Sequence, residues 1–313
     1  MDLPSSICDD SLAPQPPDNC IRTVKPTHSA SAIETPSGKD QKYENFPVGS
    51  WLLPAHLRPH IATFYWFART IDDIADSNSL SPEEKIERLS LFEATLTGQI
   101  SGRPGYERGD AMRSSLHDTQ ISIQPCLDLI TAFKLDATKL RYGDWSSLMD
   151  YCRYSAAPVG RYLIDLHGGD EKDYPPSDAL CSALQILNHL QDCKEDFETL
   201  DRVYLPLDSL QRHNVAVSEL SANASSQGLR EVKQEILLKT EKLIDESQSL
   251  IPRLRSRRLA MEAQSIINIA GYLAAELTVR DPLAERVHLS KWQYARSCIA
   301  GVLAAVTTQR RAT

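Results

Sequence analysis

The sequence predicts an all-α fold, and three observations carry that expectation. From Pro54 onward the apolar residues recur with a period near 3.6. No run of alternating β-branched residues marks a strand. Helix boundaries are written in the sequence itself, as Ser81-Pro82-Glu83-Glu84 at a start and Gly168-Gly169 at a stop.

Residues 1 to about 40 stand apart from this pattern. They hold six of the 18 prolines (positions 4, 14, 16, 17, 26 and 36) among Ser, Thr and Asp, with few large apolar groups to offset the entropy of ordering. A disordered extension is expected there, followed by a single domain over 41–313. The first helix runs from about Pro54 to Asp76. A serine cap, a proline at the first helical position and early acids then start a second at Ser81, which reaches about Gly98. Ser101-Gly102-Arg103-Pro104-Gly105 reads as a loop. Helices follow at about 110–118, 122–141 and 145–168, the last bent by Pro158 and Gly160. After Asp173-Tyr174-Pro175-Pro176-Ser177, the segment 178–198 is strongly helical, with further helices at about 228–250, 256–280 and 290–308. No repeat of fixed period is visible.

Composition removes several classes of function. A formal charge of −8 and thinly spread Lys and Arg are the wrong footprint for nucleic acid. Seven cysteines (8, 20, 126, 152, 181, 193 and 298) without a Cys-x-x-Cys pair point to neither a disulfide framework nor a zinc site, which fits a reducing cytosol. No secretory signal or Arg-rich transit peptide is evident. Cys298–Val306, the longest weakly polar stretch, is about half the length a bilayer-spanning helix needs.

Two acidic stripes point to the chemistry. On the first helix Ile61, Phe64, Ala68, Ile71 and Ala75 form an apolar face, and Tyr65, Arg69, Asp72 and Asp76 form a stripe one position round, with Asp73 beside it. Carboxylates within one turn repel by about 0.2–0.5 kcal/mol per exposed i, i+4 pair. They also sit where the helix macrodipole disfavours anions, so a positive partner is expected. The second stripe is Gln185, Asn188, Asp192 and Asp196 beside an apolar face of Leu180, Leu184, Leu187 and Leu190, with Glu195 nearby. Clustered carboxylates suit a hard cation, and Mg²⁺ is usually held by one or two of them together with waters and substrate phosphates. A di-iron bundle ranks lower, because neither stripe supplies Glu-x-x-His.

With these motifs the chain resembles the squalene/phytoene synthase family over about residues 43–300. The first motif matches as Arg69-x-x-Asp72-Asp73-x-x-Asp76. The second matches as Gln185-x-x-Asn188-x-x-x-Asp192-x-x-Glu195-Asp196-Phe197, followed by Arg202-Val203-Tyr204-Leu205-Pro206. Within the family, Glu44-Asn45-Phe46-Pro47-Val48, the segment from Tyr151 to Arg161 and Leu187–Cys193 resemble the hydroxysqualene synthase branch of bacterial hopanoid biosynthesis. Many members that condense two diphosphates carry Arg immediately before the first Asp of the second motif, whereas this chain has Gln191.

The resemblance implies an isoprenoid-synthase-type helical bundle with a central cavity. It also implies two or three Mg²⁺ ions bound with an isoprenoid diphosphate, and no NADPH. The implied reaction is loss of diphosphate from presqualene diphosphate and capture of the rearranged cation by water. Asp72, Asp76, Asp192 and Asp196 are the implied metal ligands, with Asp73, Glu195 and Asn188 close by. Arg69 either clamps phosphate or pairs with the aspartates. Gln185 faces the cation or water, or is a core amide. Tyr151 and Tyr272 stabilise cation or phosphate, or pack in the core. Arg153, Arg161, Arg202 and Tyr204 are the remaining candidates for substrate binding. His56, His60 and His189 are given no role.

Two alternatives stay open: condensation of farnesyl diphosphate on the same fold, and a non-catalytic assembly factor. A cytoplasmic protein is expected. An apolar product implies transient contact with a membrane, and neighbouring enzymes of the same route are the other expected partners.

Overall fold

The structure, a computed structural model, describes residues 53–312. The expected extension over 1–40 and the Glu44–Val48 match lie outside the described residues. The described chain is helical, its one β feature an isolated bridge between Arg141 and Val203.

Helix α1 (Arg58–Ala75) opens with a proline in its first turn, and α2 (Pro82–Leu96) begins with the expected cap. The Ser81 hydroxyl accepts from the Glu84 amide at 3.2 Å while the Glu84 carboxylate accepts from the Ser81 amide at 2.7 Å, an arrangement worth about 1 kcal/mol. Gly98, in the left-handed region at φ 79°, ends the exit from α2. Helices α3 (Glu107–Thr119) and α4 (Gln124–Asp136) complete an N-terminal group. Phe67, Phe92 and Tyr106 join it through ring contacts with centroids 6.3 and 4.8 Å apart.

The segment expected to form one bent helix over 145–168 is two, α5 (Trp145–Ser155) and α6 (Ala157–Leu166). Pro158 offers no amide and restricts the residues before it, so the chain leaves the helix at Ala156 (φ −118°, ψ −50°) and restarts. Helix α6 is tied to α1, where Phe64 stacks on Tyr162 at 4.1 Å and the Tyr162 hydroxyl donates to the His60 carbonyl. His60 itself hydrogen-bonds Ser115 of α3 at 2.8 Å, a packing role.

Helix α7 (Tyr174–Gln191) starts four residues earlier than expected, because Pro175 and Pro176 fall in its first turn, where proline is tolerated. It also stops earlier. Asp192 leaves helical geometry (φ −103°, ψ 9°), and α8 (Cys193–Leu200) begins beyond it. Helix α9 (Leu207–Arg212), which the sequence does not announce, precedes α10 (Gln227–Ser247), α11 (Arg257–Val279) and α12 (Lys291–Ala312). Helices α7, α10 and α11 pack together, α6 lies against α7, and α12 lies along α11.

Helix α4 ends at Asp136, short of the expected 141. Residues 140–143 run instead beside the chain after α8: the amides of Val203, Leu207 and Asp208 donate to the carbonyls of Leu140, Tyr142 and Gly143, each at 2.9 Å. This pairing fixes Arg202 and Tyr204 against the end of α4.

The contact of α6 with α7 is close because Gly160 has no side chain. A Cβ there would lie 2.2 Å from Ser177 Oγ and 2.8 Å from Cys181 Sγ. Gly160→Val is therefore expected to lower stability by about 1–3 kcal/mol through overpacking, read as a lower urea midpoint that Ser177→Gly partly restores. Gly271→Ala on α11, where a Cβ would meet nothing within 4 Å, is expected to raise stability by about 0.5–1 kcal/mol, read as a higher urea midpoint.

Candidate active site

The C-terminal end of α1 carries Asp72, Asp73 and Asp76, and the positive partners expected there are present. Arg69 pairs with Asp72 at 3.2 Å and Asp73 at 2.7 Å. Arg202 comes from 126 residues further along the chain, donating Nη1 to Asp76 at 2.5 Å and Nη2 to the Ala75 carbonyl at 2.8 Å. It therefore neutralises a carboxylate and satisfies one of the last carbonyls of the helix, which lack intrahelical donors. Asp72 and Asp76 remain 30% and 26% exposed, open to a further ligand.

The second stripe is built differently. Because the chain breaks at Asp192, Glu195 and Asp196 fall in the first turn of α8, where the macrodipole favours anions. Asp196 stays partly accessible and lies 3.7 Å from His189 Nδ1. Glu195 is exposed.

Between the stripes lies a buried polar cluster centred on Asp136. The carboxylate, 4% exposed, accepts from the Tyr151 hydroxyl at 2.8 Å and the Tyr204 hydroxyl at 3.2 Å. Burial pushes its pKa up to about 7, against the opposing pull of Arg202 and the two hydroxyls. Tyr204 stacks on His189 with centroids 3.5 Å apart, and Gln185 Nε2 donates to His189 Nε2 at 3.2 Å. Lys85 of α2 senses the same charges: burial and Arg202 lower its pKa while Asp76 and Asp136 raise it. One connected set of groups thus links the end of α1, the end of α4 and the α7–α8 break.

A cavity opens along α7, walled by α5, α6, α11 and the turn around Leu250–Leu254. Its wall changes character along one face of α7. Ser177, Leu180, Cys181 and Leu184 give way to Gln185 and Asn188, and the same face continues to Asp192. Leu184, assigned from the sequence to the core face, lines this cavity. Glu262, 5% exposed, is the one ionisable carboxylate in the lining.

The structure brings together Arg69, Asp72, Asp73, Asp76, Tyr151, Gln185, Asn188, Asp192, Asp196, Arg202 and Tyr204. Glu195, exposed in the first turn of α8, follows this set at its edge, and three candidates lie elsewhere. Arg161 forms a two-point ion pair with Asp178 at 2.9 and 2.6 Å, about 20 Å along α7 from Asp192 at 1.5 Å per residue. Arg153 is exposed beside Tyr154, and Tyr272 is half-buried on α11 without lining the cavity. Asp136 and Lys85 carry no motif and are missed by sequence reasoning. An Asp placed four and seven residues after the apolar Ala132 and Leu129, and so on the core face of α4, was the available signal.

Carboxylates of this type fit a hard cation. Among the described residues no three His, Cys, Asp or Glu side chains gather to hold an ion by themselves. The donor set therefore fits metal ions shared with a substrate's phosphate oxygens, in the manner usual for Mg²⁺.

Residues 39–293 match the model of the squalene/phytoene synthase family. The chain is 42% identical to the hydroxysqualene synthase of Rhodopseudomonas palustris, over 84% of this chain and 89% of that protein. It is 38% identical to the hydroxysqualene synthase of Zymomonas mobilis, over 86% and 90%. Among solved structures it resembles squalene synthase HpnC from Alicyclobacillus acidocaldarius, with a TM-score of 0.65 and 30% identity over 73% of this chain and 85% of that one. A dehydrosqualene synthase solved with a ligand shares the fold, with a TM-score of 0.70 at 19% identity over 84% and 92%.

The raised pKa of Asp136 has a consequence for stability. Its folded value of about 7 lies above the ordinary value of 3.8. Between the two, the unfolded chain releases a proton that the folded one retains, so this group's contribution to stability falls as pH rises from about 4 to about 7 and is level outside that window. Asp136→Asn is expected to remove that slope from the pH dependence of the urea midpoint. An unchanged slope would show that Asp136 is ionised throughout.

Proposed function

The chain belongs to the squalene/phytoene synthase family of isoprenoid synthases, and on that footing we propose that it is a hydroxysqualene synthase, converting presqualene diphosphate and water to hydroxysqualene and diphosphate. The observation that carries this reading is the likeness to hydroxysqualene synthases over most of both chains. The site supports it. A carboxylate-rich rim adjoins an apolar cavity through Gln185 and Asn188, an arrangement suited to a molecule with an anionic head and a long hydrocarbon body.

Asp72 and Asp76 on one side, and Asp192 and Asp196 on the other, would hold Mg²⁺, with Asp73, Glu195 and Asn188 near them. The metal supplies Lewis-acid stabilisation of the departing diphosphate, in the manner of a carbon–oxygen lyase acting on phosphates. Arg69 bridges Asp72 and Asp73 and offsets their mutual repulsion. Arg202 pairs with Asp76 and, with Lys85, adds positive potential on the leaving-group side. Tyr151 and Tyr204, held by Asp136, stand behind the cavity lining, joined to Gln185 through His189, and aromatic rings near a cation stabilise it by about 0.5–2 kcal/mol. Gln185 and Asn188 are the polar groups placed to orient the capturing water. The carbon–oxygen bond to diphosphate breaks, the rearranged cation gains the water oxygen, and the displaced proton leaves with the diphosphate or solvent. No hydride enters, so no nicotinamide is required.

Gln191 favours this step over condensation of two diphosphates. Its amide donates to the Val287 carbonyl at 2.5 Å, fastening the end of α7 to the segment after α11 and adding no positive charge.

Incubation of the purified protein with Mg²⁺ and no NADPH, followed by mass spectrometry, is expected to give hydroxysqualene from presqualene diphosphate and nothing from farnesyl diphosphate. Asp72→Asn and Asp192→Asn are each expected to reduce turnover by about 10²-fold or more. Presqualene diphosphate formed from farnesyl diphosphate would instead establish the condensing reaction.

A further inference from the structure

We propose that the outward face of α12 docks the protein on an anionic lipid bilayer, with Trp292, Ile299 and Leu303 entering the interface and Lys291 and Arg296 of the same helix facing the headgroups. The inference does not rest on the assignment of the substrate.

Among the described residues few large apolar side chains are exposed, and α12 holds three of them. Trp292 is 75% exposed, and Ile299 and Leu303 are each 63% exposed. At 3.6 residues per turn these three fall within about 40° of one another around the helix axis, so they form one stripe. Val279 at the end of α11, 80% exposed, adds to the apolar surface.

The opposite face of α12 is fixed. Ser297 and Gly301 are buried, the Asn268 amide donates to the Ser297 carbonyl at 3.2 Å, and the Ser265 hydroxyl donates to the Cys298 carbonyl at 3.2 Å. A Cβ on Gly301 would lie 2.5 Å from the Ser265 backbone, so the two helices touch main chain to main chain. Gln293 bonds Glu276 at 2.6 Å at the start of the contact. The helix therefore cannot roll to hide its apolar stripe.

Charge selects the occupant. The sequence of α12 contains Lys291, Arg296, Arg310 and Arg311 and no acidic residue, in a chain of net charge −8. Such a helix, with Trp and aliphatic residues on one face and basic residues alongside, has the composition of one that lies in the plane of a bilayer surface. Helix α12 thus pairs an exposed apolar stripe with charge of the sign that an anionic surface attracts. A second copy fits less well, because a two-fold contact would set Arg296 and its neighbours against themselves. Helix α11 carries α12 on one side and the cavity-lining Leu259, Glu262, Ala263 and Ile266 on the other, so docking would bring the apolar cavity to within two helix layers of the lipid.

Sedimentation of the full chain with vesicles tests this. The protein is expected to bind vesicles of phosphatidylcholine with phosphatidylglycerol and not phosphatidylcholine alone, with binding falling as salt rises. The triple variant Trp292→Ser, Ile299→Ser, Leu303→Ser, with unchanged circular dichroism, is expected to bind about tenfold or more weakly. Lys291→Glu with Arg296→Glu is expected to remove the preference for anionic lipid. Absence of binding, or binding that the triple variant retains, overturns the proposal. So does a solution dimer that the triple variant dissolves, or binding that requires removal of residues 1–52, since either would show the face to be covered by protein.

Discussion

A helix that ends in three carboxylates opposes its own dipole, and the rest of this site is arranged around that constraint. Arg202 resolves it by binding the carboxylate of Asp76 and the carbonyl of Ala75 together. The guanidinium is nearly buried, so the pair is worth more than a surface ion pair and breaking it by removing one partner costs about 3–5 kcal/mol. Burying a guanidinium requires that its remaining surroundings be anionic or polar, and Asp136, which Arg202 pulls toward ionisation against the effect of burial, supplies a second carboxyl group. Asp136 in turn is tolerable in the interior only because Tyr151 and Tyr204 donate to it. Each buried polar group thus depends on the next, and the chain of dependence runs from the first acidic stripe to the second.

The two stripes look alike in sequence yet stand in opposite fields. Asp72, Asp73 and Asp76 occupy a helix C-terminus and are restrained by arginines, whereas Glu195 and Asp196 occupy a helix N-terminus, which favours their charge without any such partner. The difference follows from the break at Asp192. An unbroken helix over 178–198 would put all the acids of the second stripe at a disfavoured end as well. The break also turns Asp192 from the middle of a helix into the junction of two, at the end of the face on which Gln185 and Asn188 line the cavity.

Much of this was legible in the sequence, and what was not has a common physical cause. The helical class, the start at Ser81, the acidic stripes and the need for a cation beside the first of them follow from periodicity and helix electrostatics, which are local. The identity of that cation was not local, since Arg202 lies 126 residues from Asp76. The same holds for Asp136, whose importance arises from a pairing between residues 140–143 and 203–208 that no pattern of hydrophobicity announces. Arg161 shows the converse. Its segment resembled the family's, but the carboxylate within its reach is Asp178, at the far end of α7, and Nε and Nη2 of the guanidinium are bonded there. His189, given no role because its position turns away from Asn188 on the helix, enters the cluster by stacking on Tyr204, a residue beyond the helix altogether.

Charge balance bears on how many diphosphates such a site could hold. Asp72, Asp73, Asp76, Asp192 and Asp196 are five carboxylates, while Arg69, Arg202 and Lys85 each already face an aspartate. The chain alone is therefore anionic where an anionic head must bind, and a diphosphate brings about two to three further charges. Two or three divalent ions arriving with the substrate would close that deficit, in keeping with carboxylates that are partly open and not gathered into a protein-only cage. A second diphosphate would reopen it, and the position where an arginine would answer, residue 191, holds an amide committed to the Val287 carbonyl. The same neutral amide that closes the end of α7 against the segment after α11 thus adds no positive charge to answer a second diphosphate.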